Sequence, residues 1–148
     1  GLLLTEEDLS AVDWLPTDHP IAARAKYFPS RSYEALRIRP EVADFRYRAL
    51  AKIDGERIFE DSDSLVDWAK EAQLDAILTA EPTIGHWPEI VKQLRDKLAP
   101  QRIDLYTARH WWDETLQPQA TKGFFRFKKS IPKALEKLPL NTEPFPES

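Results

Sequence analysis

The stretch DSDSLVDWAKEAQLDAILTAEPTIGHWPEIVKQLRDKLAPQRIDLYT, residues 61–107, decides the fold. Asp61-Ser62-Asp63-Ser64 offers several side-chain oxygens that can accept from the free N–H groups of a helix start. Leu65, Trp68, Ala69 and Ala72 then recur at helical spacing and predict a helix ending near Gln73. Ala76–Ala80 is a short apolar run after Asp75, the pattern of a strand buried on both faces. Glu81-Pro82-Thr83-Ile84-Gly85 predicts a loop. Trp87, Ile90, Val91, Leu94 and Leu98 share one face of a second helix, with Pro88 in its first turn and Pro100 at its end. Ile103–Thr107 predicts another strand. Helix–strand–helix–strand at this spacing predicts an α/β fold: a three-layer, Rossmann-like domain with a mostly parallel sheet of about four to five strands.

Outward from this stretch the pattern is looser. Leu2–Thr5 predicts a buried strand that Glu6-Glu7-Asp8 ends at a surface. Residues 14–40 hold Pro16, Pro20, Pro29 and Pro40, and read as a long connection with at most one short helix. Pro40 can open a helix carried by Val42, Phe45, Ala49 and Ile53, with Asp54-Gly55 as its stop. Arg57–Glu60 predicts a short strand. Residues 108–121 read as irregular, and Ser130–Leu135 as the beginning of a last helix. The expected organisation is an α/β domain over 1–121, a basic Phe-rich segment over 122–138 and a frayed tail over 139–148.

The chain has 148 residues, 42% of them apolar and 31% charged, the composition of an ordinary folded domain. It has no Cys, which excludes a disulfide scaffold, a thiol nucleophile and Cys-ligated metal sites, and fits a reducing, cytoplasmic setting. It also has no Met and begins Gly1-Leu2-Leu3-Leu4, which reads as a piece of a longer protein. No apolar run approaches the roughly 20 residues of a membrane span. Gly1 with Thr5 formally fits an acylation pattern, but Glu6-Glu7-Asp8 would repel an anionic leaflet. Residues 1–120 carry 15 basic and 22 acidic side chains, whereas residues 121–148 carry 6 and 3. An acidic body with a basic end is unlike a general nucleic-acid binder, which is basic throughout.

Glycine occurs at positions 1, 55, 85 and 123, so neither dinucleotide nor Walker phosphate loops can form. The crevice beyond the carboxyl ends of parallel strands needs no such loop. Thr79, Glu81, His86, Trp87, Arg109, Trp111 and Trp112 follow or end the strands 76–80 and 103–107, and are the candidate ligand pocket. The competing explanation is Trp packing over the sheet edge beside two surface His residues. His19, His86 and His110 have no metal-ligand spacing, no nucleophile elbow is present, and paired carboxylates such as Glu6 and Glu7 fit a solvated surface. No metal or catalytic residue is expected. Lys122, Phe124, Phe125, Arg126, Phe127, Lys128 and Lys129 form the most unusual segment. It can meet a neighbouring domain, contact nucleic-acid phosphates, or pin the chain end to the core.

The run Ser64–Glu71 through Asp75–Thr79, the helix Trp87–Leu98, the strand Ile103–Thr107 and the closing Ala120-Thr121-Lys122-Gly123-Phe124-Phe125-Arg126-Phe127-Lys128 resemble the α/β domain of photolyases and cryptochromes. The resemblance covers about residues 60–130, with Leu2–Asp8 as an earlier strand. It implies a flavoprotein that repairs DNA or senses light, with FAD held in a separate all-helical domain. No FAD-binding or lesion-contacting residue carries over onto this sequence, so no cofactor is expected in it. The family's α/β domain can hold an antenna chromophore. This chain lacks the Arg-rich loop that usually follows the first strand, which argues against an intact antenna site.

Three functions follow as expectations. The first is a non-catalytic accessory domain that packs on the FAD-binding helical domain and leaves an apolar patch among Phe124, Phe125 and Phe127; DNA would be a partner through the parent protein. The second is a small nucleotide-binding or hydrolytic enzyme whose Glu81, His86, Arg109 and His110 converge. The third is a DNA-binding module using residues 122–133.

Overall fold

Leu2–Thr5 forms strand β1, and all four of its residues are buried. The computed structural model describes residues 1–15, 20–53, 57–82 and 85–136. Around β1 lie β2 (Arg24–Tyr27), β3 (Ile58–Phe59), β4 (Ala76–Ala80) and β5 (Asp104–Ala108). They make one five-stranded sheet in the order β3-β2-β1-β4-β5, with every neighbouring pair parallel. A parallel sheet must be covered on both faces, which is why Leu2-Leu3-Leu4 is a continuous apolar run rather than an alternating one.

The two faces are filled by different helices. Leu3, Ala25, Tyr27, Phe59 and Ile77 pack against α4 (Ser62–Glu71) and α5 (Trp87–Leu98). Leu2 and Leu4 face α1 (Ala11–Trp14) through Ala11. Phe28, Tyr33 and Leu50 join α2 (Ser30–Ala35) to α3 (Pro40–Ala51). This is the expected three-layer α/β architecture, and the helix–strand–helix–strand segment folds as its periodicity predicts. Asp61 caps α4 by accepting from the Ser64 N–H at 2.8 Å.

The connection expected over 14–40 holds the one short helix it allowed, α2, and is corrected in one respect: it also contains a strand, β2. Arg24-Ala25-Lys26-Tyr27 hides its strand because Lys26 occupies a buried sheet position, 3% exposed. Its Nζ donates to the Ile53 carbonyl at 2.5 Å, just beyond the end of α3, where the helix dipole favours a cation. The expected stop at Asp54-Gly55 lies outside the described residues.

The chain forms two compact units, Gly1–Ala108 and Arg109–Ser148. In the second, residues expected to be irregular form α6 (Trp111–Leu116) and a 3-10 stretch, Gln117–Lys122. The last helix, α7 (Phe124–Leu135), begins six residues before Ser130, because Gly123 at φ 82° provides the sharp entry to it. The tail expected to fray lies outside the described residues.

Three helical segments of the sheet unit end alike. Arg37, Gln73 and Arg102 take left-handed φ values of 53°, 52° and 60°. The following Ile38, Leu74 and Ile103 donate back to Tyr33, Ala69 and Leu98 carbonyls at 3.1, 3.0 and 3.3 Å. This is the Schellman closure, usually made with Gly because a Cβ strains it. Replacing exposed Gln73 by Gly should raise the unfolding free energy by about 0.5–1 kcal/mol. A urea titration should show the higher midpoint at unchanged slope, while Gln73→Val lowers it.

Candidate functional site

Strand order reverses at β1: the chain goes first to β2 and β3 on one side, then crosses to β4 and β5 on the other. A crevice opens at such a reversal beyond the carboxyl ends of the strands. Here β1 runs into Glu6 and Glu7, and β4 runs into Glu81 and the start of α5. The crevice is a cleft of about 230 Å³ lined by Glu7, Ile38, Val42, Arg46, Gly85 and His86.

Glu6 is the node of this site. Its Oε1 accepts from the Tyr33 hydroxyl at 2.5 Å and from the Trp87 indole N–H at 2.9 Å. Arg46 donates to the Tyr33 oxygen at 3.2 Å and pairs with Glu7 at 3.1 Å. Thus α2, α3 and α5 each send one polar side chain to the end of β1. His86 packs edge-on against the Tyr33 ring, centroids 5.3 Å apart. Three buried side-chain atoms have no hydrogen-bond partner among the described residues, and two of them, Glu6 Oε2 and His86 Nε2, belong to this cluster.

Burial raises the pKa of Glu6, and the neighbouring Glu7 charge adds to this; the hydrogen bonds from Tyr33 and Trp87 oppose it. Burial lowers the pKa of His86, against the pull of Glu7. Burial also raises that of Tyr33, as does its hydrogen bond to Glu6. The arrangement therefore combines a carboxyl inclined to keep its proton, an imidazole inclined to stay neutral and a fixed guanidinium. Chemically it can hold a small polar molecule or exchange a proton with one.

The sequence-derived candidates fall in different places. Thr79 is 2% exposed, and its hydroxyl is a further buried group without a partner among the described residues. Trp87 is 1% exposed and belongs to the core, with only its N–H turned to Glu6. Glu81 donates its backbone N–H to the Ala108 carbonyl at 2.7 Å. His86 lines the cleft. Arg109, His110, Trp111 and Trp112 begin the second unit, and the side chains of Trp111 and Trp112 lie outside the described residues, as do those of Lys122, Phe124 and Arg126. His19 lies outside them too. Phe125 is 82% exposed, Phe127 is half-buried, and Lys128 and Lys129 are exposed.

The solvated surface expected at Glu6 is corrected: Glu6 is partly buried and bonded to two aromatic side chains. Tyr33 and Arg46 carried no sequence signal, because only the packing of α2 and α3 brings them to β1. The place directly after the first buried strand was the one available clue to Glu6. Among the described residues the cleft is lined by charged and aliphatic side chains, with Glu7 and Arg46 facing Ile38 and Val42. Among the described residues no group of three potential metal ligands occurs, and no helix is long and apolar enough to cross a membrane.

The two titrating groups act on stability in opposite senses. Glu6 has its pKa raised by folding, so its contribution is complete below about pH 4.3 and is lost as pH rises through the folded value. His86 has its pKa lowered, so its contribution is complete above about pH 6.5 and is lost as pH falls through the folded value. Glu6→Gln should therefore stabilise the chain more at pH 7 than at pH 4, relative to the wild type, in urea titrations at both pH values. Tyr33→Phe should cost about 1 kcal/mol and move the Glu6 titration, followed by carboxyl-carbon NMR, further upward. An unmoved titration would show that the Tyr33 bond does not hold the carboxylate.

In comparisons with known proteins, no family model, no curated protein and no solved structure matches this chain.

Proposed function

We propose that this chain is an accessory α/β domain of a photolyase- or cryptochrome-like flavoprotein, non-catalytic in itself, which packs on a FAD-binding helical domain. The observation that carries this reading is the outer face of α7. Phe125, Lys128, Lys129, Pro132 and Lys133 are all exposed and stand at i, i+3, i+4, i+7 and i+8, so they form one stripe. A large aromatic at 82% exposure within a folded helix marks a surface that suits a partner. The parallel sheet agrees with the resemblance of residues 60–130. DNA repair and light sensing both belong to the parent protein on this reading.

A second reading, a small nucleotide-binding or hydrolytic enzyme, draws on the cleft lined by Glu7, Arg46 and His86 and on two buried atoms without a partner among the described residues, Glu6 Oε2 and His86 Nε2. It replaces the expected Glu81, His86, Arg109 and His110 set by Glu6, Arg46 and His86.

The gene product expressed at full length should contain FAD, seen as absorption between about 350 and 500 nm and released on denaturation. Residues 1–148 alone should contain none. A full-length product without flavin would overturn the accessory-domain reading. Phe125→Asp should leave the melting temperature of residues 1–148 within about 1 °C while weakening their binding to the separately expressed remainder. If instead a nucleotide raises the melting temperature of residues 1–148 and Arg46→Ala abolishes that rise, the enzyme reading gains.

A further inference from the structure

The two edges of the sheet are finished differently. At β5, Arg95 of α5 reaches over and donates twice to the Leu105 carbonyl, at 3.3 and 3.2 Å. One outward group of that edge is thereby occupied. At β3, the ladder to β2 uses the Arg57 and Phe59 carbonyls, which accept from Lys26 and Phe28 at 3.0 and 2.9 Å. By the alternation of a parallel ladder, the Ile58 N–H and C=O then point away from the sheet. Nothing among the described residues pairs with them.

Beside this open edge lies a cleft of about 250 Å³ lined by Arg57, Phe59, Ser64, Asp67, Trp68 and Glu71. Its apolar part is the pair Phe59 and Trp68, with centroids 6.0 Å apart. The Phe59 ring already carries the Arg57 guanidinium, 4.8 Å from its centroid, so the ring open to a further side chain is that of Trp68. Asp67 and Glu71 are one helical turn apart and both exposed. Lys70 approaches Asp67 only loosely, at 3.6 Å. Of the five carboxylates in residues 57–71, Glu60 accepts from Ser30, Asp61 caps α4 and Asp63 pairs with Lys97, which leaves Asp67 and Glu71 as the acidic groups of the cleft.

We propose that the β3 edge is a docking site for an extended basic segment of a partner protein. The segment would pair its backbone with Ile58 and place a lysine or arginine side chain in the cleft. The stem of that side chain would lie along Trp68 and its charged head at Asp67 and Glu71. An acidic edge repels acidic strands, its own copy included, so the same charges that prevent self-pairing select a basic partner. This mode of recognition takes affinity from main-chain bonds and specificity from alternate side chains. It uses neither the crevice nor α7 and stands apart from the proposed flavoprotein role.

A fluorescein-labelled peptide of alternating lysine and valine tests the proposal, with its glutamate–valine counterpart as control. The basic peptide should bind residues 1–148 by fluorescence anisotropy, and the acidic one should not. Asp67→Lys with Glu71→Lys, both at exposed positions, should weaken binding at least about tenfold while leaving the melting temperature of residues 1–148 unchanged. Amide exchange of Ile58 should slow in the complex. An unchanged Ile58 exchange rate, equal binding of the two peptides, no binding of either, or full binding by the double variant would overturn the proposal.

Discussion

Everything in the sheet unit is anchored to β1. It is paired on both edges and covered on both faces, so its four residues cannot leave water without β2, β4, α1, α4 and α5 all in place. Even Gly1 joins in: its amino group donates to the Ala76 carbonyl at 2.6 Å, and its carbonyl accepts from Leu78. A strand so enclosed can change partners only at its carboxyl end. That end is where the polar groups gather.

Glu6 is held there by a conflict of terms. Burial disfavours its charge, while Tyr33 and Trp87 donate to one oxygen and favour it. The other oxygen has no such support among the described residues. A partly satisfied buried carboxyl costs stability and persists where it has a use or where neighbouring packing enforces it. Trp87 illustrates the enforcement: its ring is core, packed edge-on to Tyr27 at 6.2 Å, and only its N–H serves the carboxyl. The crevice and the α7 stripe are therefore different kinds of surface. One is a small cleft in the sheet unit where Glu7, Arg46 and His86 meet the aliphatic Ile38 and Val42, and the other an exposed amphipathic helix in the second unit.

Legibility in the sequence followed burial and local chemistry. Residues 61–108 were readable because β4 is a short apolar run, β5 follows the proline that ends a helix, and each helix has a one-sided apolar face. β2 was not readable, because Lys26 breaks its apolar run and is satisfied by a carbonyl 27 positions away in sequence. The left-handed closures themselves were hidden for a different reason: Arg37, Gln73 and Arg102 perform what Gly usually signals, although the ends near Gln73 and Pro100 were read from the apolar spacing and the proline. In the candidate site, His86 and Trp87 were visible beside a predicted strand end. Tyr33 and Arg46 were not, since a lone Tyr or Arg on a helix announces nothing until its helix is placed.

Sequence alone determined the α/β class, the helix–strand order of 61–108, the exclusion of thiol and Gly-loop chemistry, and the acidic body with its basic end. These are properties of composition and local period, and they need no knowledge of what packs on what. Tertiary structure alone decided that β1 sits at the centre of the order β3-β2-β1-β4-β5, that Glu6 is a bonded, partly buried carboxyl, and that Arg95 covers part of the β5 edge while nothing among the described residues pairs with the outward groups of Ile58 on β3. Each of these depends on groups far apart in the chain meeting in space, and pairing across such distances leaves no local period to read.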